Sequence, residues 1–245
     1  MSRFFVDTGQ IGENTISIDN KEDLKHITKV LRLVPGDKID ISDSTEWEYA
    51  TEIQFIDEDS VVCRILDKQK FAREPQLRVT LFQGIPKQSK MEVIVQKCVE
   101  MGVWDIVPVF TKRTVVTDNG KFKKKIERWN KVSAEAVKQC KRGIIPLVQD
   151  DISFKEMVSR LDFYDFVLFP YENEEDCTIK AALENLPKKP RDLAIIIGPE
   201  GGFSDEEAEI LKKEKACCVT LGKTILRTET AGLVALAMTM YALEL

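Results

Sequence analysis

A five-residue apolar run, Leu193 to Ile197, ends in Gly198-Pro199-Glu200-Gly201-Gly202, and a helix start follows at Ser204. No other stretch restricts the fold as much. An apolar run without polar alternation reads as a strand buried on both faces, the kind found in parallel sheets covered by helices. The glycine-rich run can continue neither a helix nor a strand, so it is a loop. Ser204 with Glu207 has the pattern of a capping box, and Phe203 can staple onto Ala208. A second apolar strand, Ala216 to Leu221, leads into a second unusual loop, Gly222 to Thr230, and a last helix from Ala231 to Leu245. Loops at the carboxyl ends of consecutive strands lie where open α/β sheets bind ligands. A tight turn would by itself account for Gly201-Gly202. A second loop carrying Arg227 and Glu229 among apolar residues favours a site.

The ligand is narrowed by what the loop lacks. Its spacing is neither GxGxxG nor GxxxxGK[ST]. Asp205, Glu206 and Glu207 open the following helix. They already complement the helix dipole and would repel a phosphate, so a neutral or cationic ligand is favoured.

Strands and helices alternate from Leu77 onward. Leu77 to Gln83, Val103 to Phe110 and Phe163 to Phe169 read as strands, the last ending at Pro170-Tyr171-Glu172. Ser89 with Glu92 reads as a capping box for a helix that Gly102 ends, and Phe122 to Arg142 as a long helix. Before Leu66 the texture differs: short alternating strands surround one helical stripe, Asp23 to Leu33, as in a small β domain. Polar Lys68 to Gln76 reads as the linker between the two.

Net charge is -5, which argues weakly against a nucleic-acid partner. Its distribution argues the other way. From Lys112 to Arg142 there are eleven Lys or Arg against three acids, a local +8. Such asymmetry points to a polyanion-binding face, with a solvated basic helix as the alternative. His26 is the only histidine, which excludes His-based triads and multi-His metal sites. The six cysteines form no CxxC pair and read as reduced thiols of a cytoplasmic protein without a metal. No signal-peptide core is present at the N-terminus, and Gly232 to Leu243 is too short to span a bilayer. The final helix is apolar on nearly every face, so it is expected to be buried all round, in the core or against another chain.

IGPEGG followed by LGxxILRxETA closely resembles the RsmE family of SPOUT methyltransferases. His26 to Arg32 is similar to that family's HxxxVLR motif, Lys90 to Val103 to KxExxxQKxxELG, and Gln139 to Pro146 to QxxR…P. The order and spacing of these pieces cover nearly the whole chain. The resemblance implies an α/β fold: a C-terminal SPOUT domain over residues 75–245, with a mostly parallel sheet and a deep trefoil knot, after an N-terminal PUA-like β-barrel over residues 1–70. It implies S-adenosyl-L-methionine as cofactor, N3 of a small-subunit ribosomal RNA uridine as acceptor, and a homodimer.

On that resemblance, Phe169, Pro170, Gly198, Pro199, Glu200, Gly201, Gly202, Leu221, Gly222, Ile225 and Leu226 are expected around the cofactor. Arg227 is expected to stabilise charge on the uracil or hold a phosphate, and Glu229 or Glu200 to take the N3 proton. For either glutamate, ordering a loop or capping a helix is the competing role. Arg3, His26, Arg32, Lys87, Lys90, Arg113 and Arg142 are the candidate RNA contacts. Two other classes compete: an RNA-binding module without chemistry, and an α/β enzyme acting on a small molecule.

Overall fold

The computed structural model describes residues 2–71, 74–117, 120 and 122–244. It divides into two units, Met1–Glu74 with Val137–Ile145, and Pro75–Ala136 with Pro146–Leu245. In the first unit, β1 (Arg3–Phe5), β2 (Thr15–Ile18), β3 (Lys38–Ser42), β4 (Trp47–Ile56) and β5 (Val61–Lys70) form a sheet of order β1-β3-β4-β5-β2. β1 pairs parallel with β3, and the other pairings are antiparallel. Period-two alternation sends Ile16, Ile18, Ile39 and Ile41 into a core shared with Phe4, Leu24 and Ile27. α1 (Lys21–Lys25) starts where the Asn20 side chain accepts the amides of Glu22 and Asp23, and it runs into a π-helical turn at His26–Val30.

Val137–Ile145, which the sequence reading carries with the second domain, is held in this first unit. Arg3 donates to the carbonyl oxygens of Lys141 and Arg142, and the Ser42 hydroxyl donates to that of Gly143 at 2.5 Å. β5 also takes up Lys68, Gln69 and Lys70, the start of the expected linker. Cross-strand contacts outweigh polar composition there: the Lys68 ammonium lies 4.1 Å from the Trp47 ring centre. Of the rest of that linker, Ala72 and Arg73 lie outside the described residues.

The second unit contains β6 (Arg78–Gly84), α2 (Lys90–Glu100), β7 (Asp105–Phe110), β8 (Leu147–Val148), β9 (Ile152–Ser153) and α4 (Phe154–Arg160). Between β7 and β8 runs α3 (Phe122–Cys140), whose last residues belong to the first unit. Then come β10 (Phe166–Pro170), α5 (Ile179–Glu184), β11 (Asp192–Ile197), α6 (Asp205–Lys213), β12 (Ala216–Val219) and α7 (Thr228–Leu243). The sheet order is β12-β10-β11-β6-β7-β8, with β9 also on β7, and every pairing is parallel. As its unbroken apolar run requires, β11 is buried on both faces, no residue from Leu193 to Ile197 exceeding 3% exposure. Ala194 and Ile196 pack with Phe203, Ala208 and Leu211 around α6, while α7 packs against β11, α2 and α5.

Of the capping boxes that the spacing Ser-x-x-Glu predicts, at Ser89/Glu92, Ser153/Glu156 and Ser204/Glu207, the latter two form. The first does not. Ser89 makes no side-chain cap: its backbone (φ -89°, ψ 9°) is not extended as at the other two N-caps, and the Glu92 amide donates to the Ser89 carbonyl oxygen at 3.0 Å, while the Glu92 carboxylate pairs with Arg128. α7 begins at Thr228 rather than Ala231, with extended Arg227 as its N-cap. Glu229 therefore sits in the first turn, where a carboxylate suits the helix dipole. Within the single chain α7 leaves a flank uncovered, Met238 and Tyr241 being 42% and 75% exposed.

Candidate active site

The carboxyl ends of β10, β11 and β12, adjacent in the sheet, surround a cleft of about 1030 Å³. The loop after β10 contributes Tyr171, Glu172, Glu174, Glu175 and Thr178. Ile197 to Phe203 come from β11, and Thr220 to Thr228 from β12. Topology makes them neighbours: β10 lies between β12 and β11, so all three chain exits open on one edge.

Each loop has a local cause. Phe169 stacks on Tyr171 with ring centres 5.3 Å apart and meets Phe203 edge-on at 5.4 Å. This aromatic group ties the exits of β10 and β11 together. The Gly202 amide closes a turn onto the Pro199 carbonyl oxygen at 2.9 Å. Gly202 has φ +64°, and a Cβ there would sit 2.8 Å from the Glu172 carboxylate, so the position requires glycine. Gly84, at the end of β6, is pressed against Pro199, which a Cβ would meet at 2.5 Å. The loops after β10 and β12 are joined by a Thr178–Thr220 bridge and by the Thr220 amide donating to Cys177 at 2.7 Å.

A buried polar chain runs beneath the cleft. The Gln83 side-chain amide donates to the Gly84 carbonyl oxygen and to the Thr228 hydroxyl, both at 2.9 Å. Thr228 in turn donates to the Gly198 carbonyl oxygen at 2.7 Å. Sequence reasoning missed Gln83, Gly84 and Thr228. One signal was available: Gln83 is a polar residue directly after the apolar pair Leu81-Phe82 and directly before Gly84.

Of the residues expected around the cofactor, Pro170, Gly198, Pro199, Glu200, Gly201, Gly202, Leu221, Gly222, Ile225 and Leu226 line the cleft. Phe169 is fully buried beneath it. Arg227 lines the cleft, and among the described residues its guanidinium makes no ion pair or hydrogen bond. Glu229 is not in the lining. Its Oε2 lies 3.2 Å from the Lys90 ammonium, which also meets Glu200 at 2.9 Å. Burial would raise the Glu200 carboxyl, but the Lys90 ammonium and nearby backbone amides outweigh it and hold the group below its usual range.

The candidate RNA contacts divide. In the first unit, Arg3 is buried against Glu48 at 2.5 Å, and Arg142 against Glu74 at 2.8 Å. His26 is half-buried, edge-on to Phe4, while Arg32 is exposed with φ 54°. In the second unit, Lys87 is exposed and its amide donates to Glu200. Lys90 lies on the cleft, and Arg113 donates to the Gly201 carbonyl oxygen at 3.0 Å.

Burial pushes the Cys63 thiol up to about 11 and the Cys98 thiol to about 12, so neither is a nucleophile at neutral pH. Among the described residues, no cluster of three or more His, Cys, Asp or Glu could hold a metal. No helix among them is long and apolar enough to cross a membrane.

Comparison with known proteins is consistent along the whole chain. Residues 18–66 match an RNA methyltransferase PUA domain, and residues 72–240 an RNA methyltransferase domain. The ribosomal RNA small subunit methyltransferase E of Bacillus subtilis is 35% identical over an alignment of 252 residues, covering 100% of this chain and 98% of that protein. Its namesake from Mesomycoplasma hyopneumoniae is 32% identical, covering 95% and 96%. A crystal structure of the Neisseria gonorrhoeae protein of the same name, bound to S-adenosyl methionine, superposes with a TM-score of 0.86 at 26% identity, covering 98% of this chain and 97% of that one. With both domains matched in order and full-length relatives above 30% identity, the chain belongs to the ribosomal RNA small subunit methyltransferase E family of RNA methyltransferases.

Proposed function

We propose that this protein methylates N3 of a specific uridine in small-subunit ribosomal RNA, with S-adenosylmethionine as methyl donor. The observation that carries the reading is the cleft at three adjacent strand ends, with glycine backbone on one side and an uncommitted arginine on the other. Its residues fit that donor. Gly198, Gly201 and Gly202 present backbone, Leu221, Ile225 and Leu226 present apolar surface, and Glu172 and Glu175 present negative charge to a cation. The acidic start of α6 disfavours a phosphate there.

The bound donor supplies a methyl group on a sulfonium, already joined to a good leaving group. The protein has to exclude water, aim the acceptor and remove its proton. Arg227 stabilises the negative charge that develops on the uracil oxygens. Glu200, held anionic by Lys90, is a poor proton acceptor and orders its loop. Glu229 is the other candidate for the N3 proton, although it too faces Lys90 and lies outside the cleft lining. Arg3 and Arg142 are engaged inside the first unit, so RNA contact falls to Arg32 and His26 in that unit, and to Lys87, Arg113 and the lysines of α3.

The same reading takes residues 1–70 as the RNA-binding domain and 75–245 as the knotted catalytic domain. The trefoil threading is part of this reading by family membership. Two copies associate through the uncovered flank of α7, and the protein works with the ribosome in the cytoplasm. Incubation with labelled S-adenosylmethionine and unmethylated small ribosomal subunits, then nucleoside mass spectrometry, tests the proposal. Label in 3-methyluridine is expected. Label in another base refutes the acceptor assignment, and no transfer to subunits or naked RNA refutes the activity.

A further inference from the structure

Lys90 stands at the only place among the described residues where the β11 loop and the start of α7 share one charged partner. It is the first residue of α2. Its ammonium lies 2.9 Å from Glu200 and 3.2 Å from Glu229. All three side chains are largely shielded, at 27%, 27% and 20% exposure, and the Glu229 oxygen facing Lys90 is itself buried. The Glu200 hydrogen bond raises the Lys90 pKa above the ordinary lysine value, against the opposing effect of burial. The Lys87 amide adds a second anchor on Glu200 at 3.1 Å.

We propose that Lys90 is a positioning residue that fastens the two cofactor loops together, and that it is not a contact for RNA phosphate. Without it, two half-shielded carboxylates face each other uncompensated, and the loops that form the cleft move apart. An ammonium shared by two carboxylates has little left to offer a phosphate. The proposal rests on reading the cleft as the S-adenosylmethionine site.

The test uses the full chain, with S-adenosylmethionine binding measured by calorimetry without RNA and RNA binding measured across a salt series. Lys90→Met is expected to weaken S-adenosylmethionine binding about tenfold, the scale of a lost hydrogen bond between charged groups. RNA affinity and its salt slope stay unchanged, and Lys90→Arg restores most of the cofactor affinity. If Lys90→Met binds the cofactor normally but its RNA salt slope falls by about one, Lys90 is a phosphate contact and the proposal is overturned. Glu200→Gln guards against a folding defect in Lys90→Met. It must also weaken cofactor binding, and the double variant must lose less than the two single losses combined. Full additivity overturns the link. A wild-type chain that does not bind S-adenosylmethionine defeats the cleft reading itself.

Discussion

Thr228 donates a hydrogen bond to the Gly198 carbonyl oxygen at 2.7 Å while accepting one from Gln83 at 2.9 Å. Through this hydroxyl the first turn of α7, the end of β11 and the end of β6 act as one piece. Thr228→Val keeps the shape and removes both bonds, leaving buried polar groups unpaired at a cost of about 1–3 kcal/mol. Thermal denaturation is expected to show that loss, and calorimetry a weaker S-adenosylmethionine affinity. Thr228→Ser stays close to the wild type in both.

Arg227 offers a different signature. Its guanidinium is engaged by nothing among the described residues, so removing it should leave the fold intact. Arg227→Ala is expected to lower single-turnover methyl transfer by about a hundredfold, as for other charge-stabilising donors. Cofactor affinity should hardly change. Unaltered turnover would remove Arg227 from the mechanism.

On α3, Lys123, Lys124 and Lys125 are exposed. Replacing all three with Ala should weaken RNA binding and lower the slope of log affinity against log salt by about two. Binding of S-adenosylmethionine should be unaffected. An unchanged slope would make this a solvated helix face.

Met238 and Tyr241 make the outer side of α7 the surface to perturb for self-association. Glu at both positions is expected to turn a dimer into a monomer in light scattering. A wild type that is monomeric at all concentrations would refute association through this flank.

Asp105 predicts a pH effect away from the cleft. Burial pushes its carboxyl above the usual range, and the Gln149 side-chain amide, donating at 2.6 Å, offsets this only in part. The folded state therefore favours the neutral acid. The contribution of Asp105 to stability is complete below the unfolded pKa and is lost as pH rises through the folded one. At neutral pH the ionised group destabilises the fold. Asp105→Asn should melt above the wild type at about pH 7, with the gap closing toward about pH 4, near the carboxylate reference value.

Local patterns carried most of the secondary structure. The Leu193 to Ile197 run became a buried central strand, and the Ser204/Glu207 box formed as its spacing implies. Ser89/Glu92 has the same spacing but does not cap, because the Ser89 backbone is turned rather than extended and its own carbonyl oxygen takes the Glu92 amide, which spacing alone does not encode. Distance in sequence also hid the engagement of Arg3 and Arg142. Both read as RNA contacts until their internal partners are known. The loops of the cleft were legible because a glycine run after an apolar strand can extend neither that strand nor a helix. Their side-by-side arrangement depends on strand order, which no local pattern encodes.

The position of β11 has a consequence for how the chain acquires its shape. Its two sheet neighbours are β6 and β10, and β6 lies more than a hundred residues earlier. Neither neighbour can complete its hydrogen bonding until β11 arrives. Such non-local pairing raises contact order and slows folding. The nascent chain therefore carries the unpaired β6 edge for a long interval during synthesis, and the β10 edge for a much shorter one. Those edges are where assistance from chaperones, or aggregation without it, would act first.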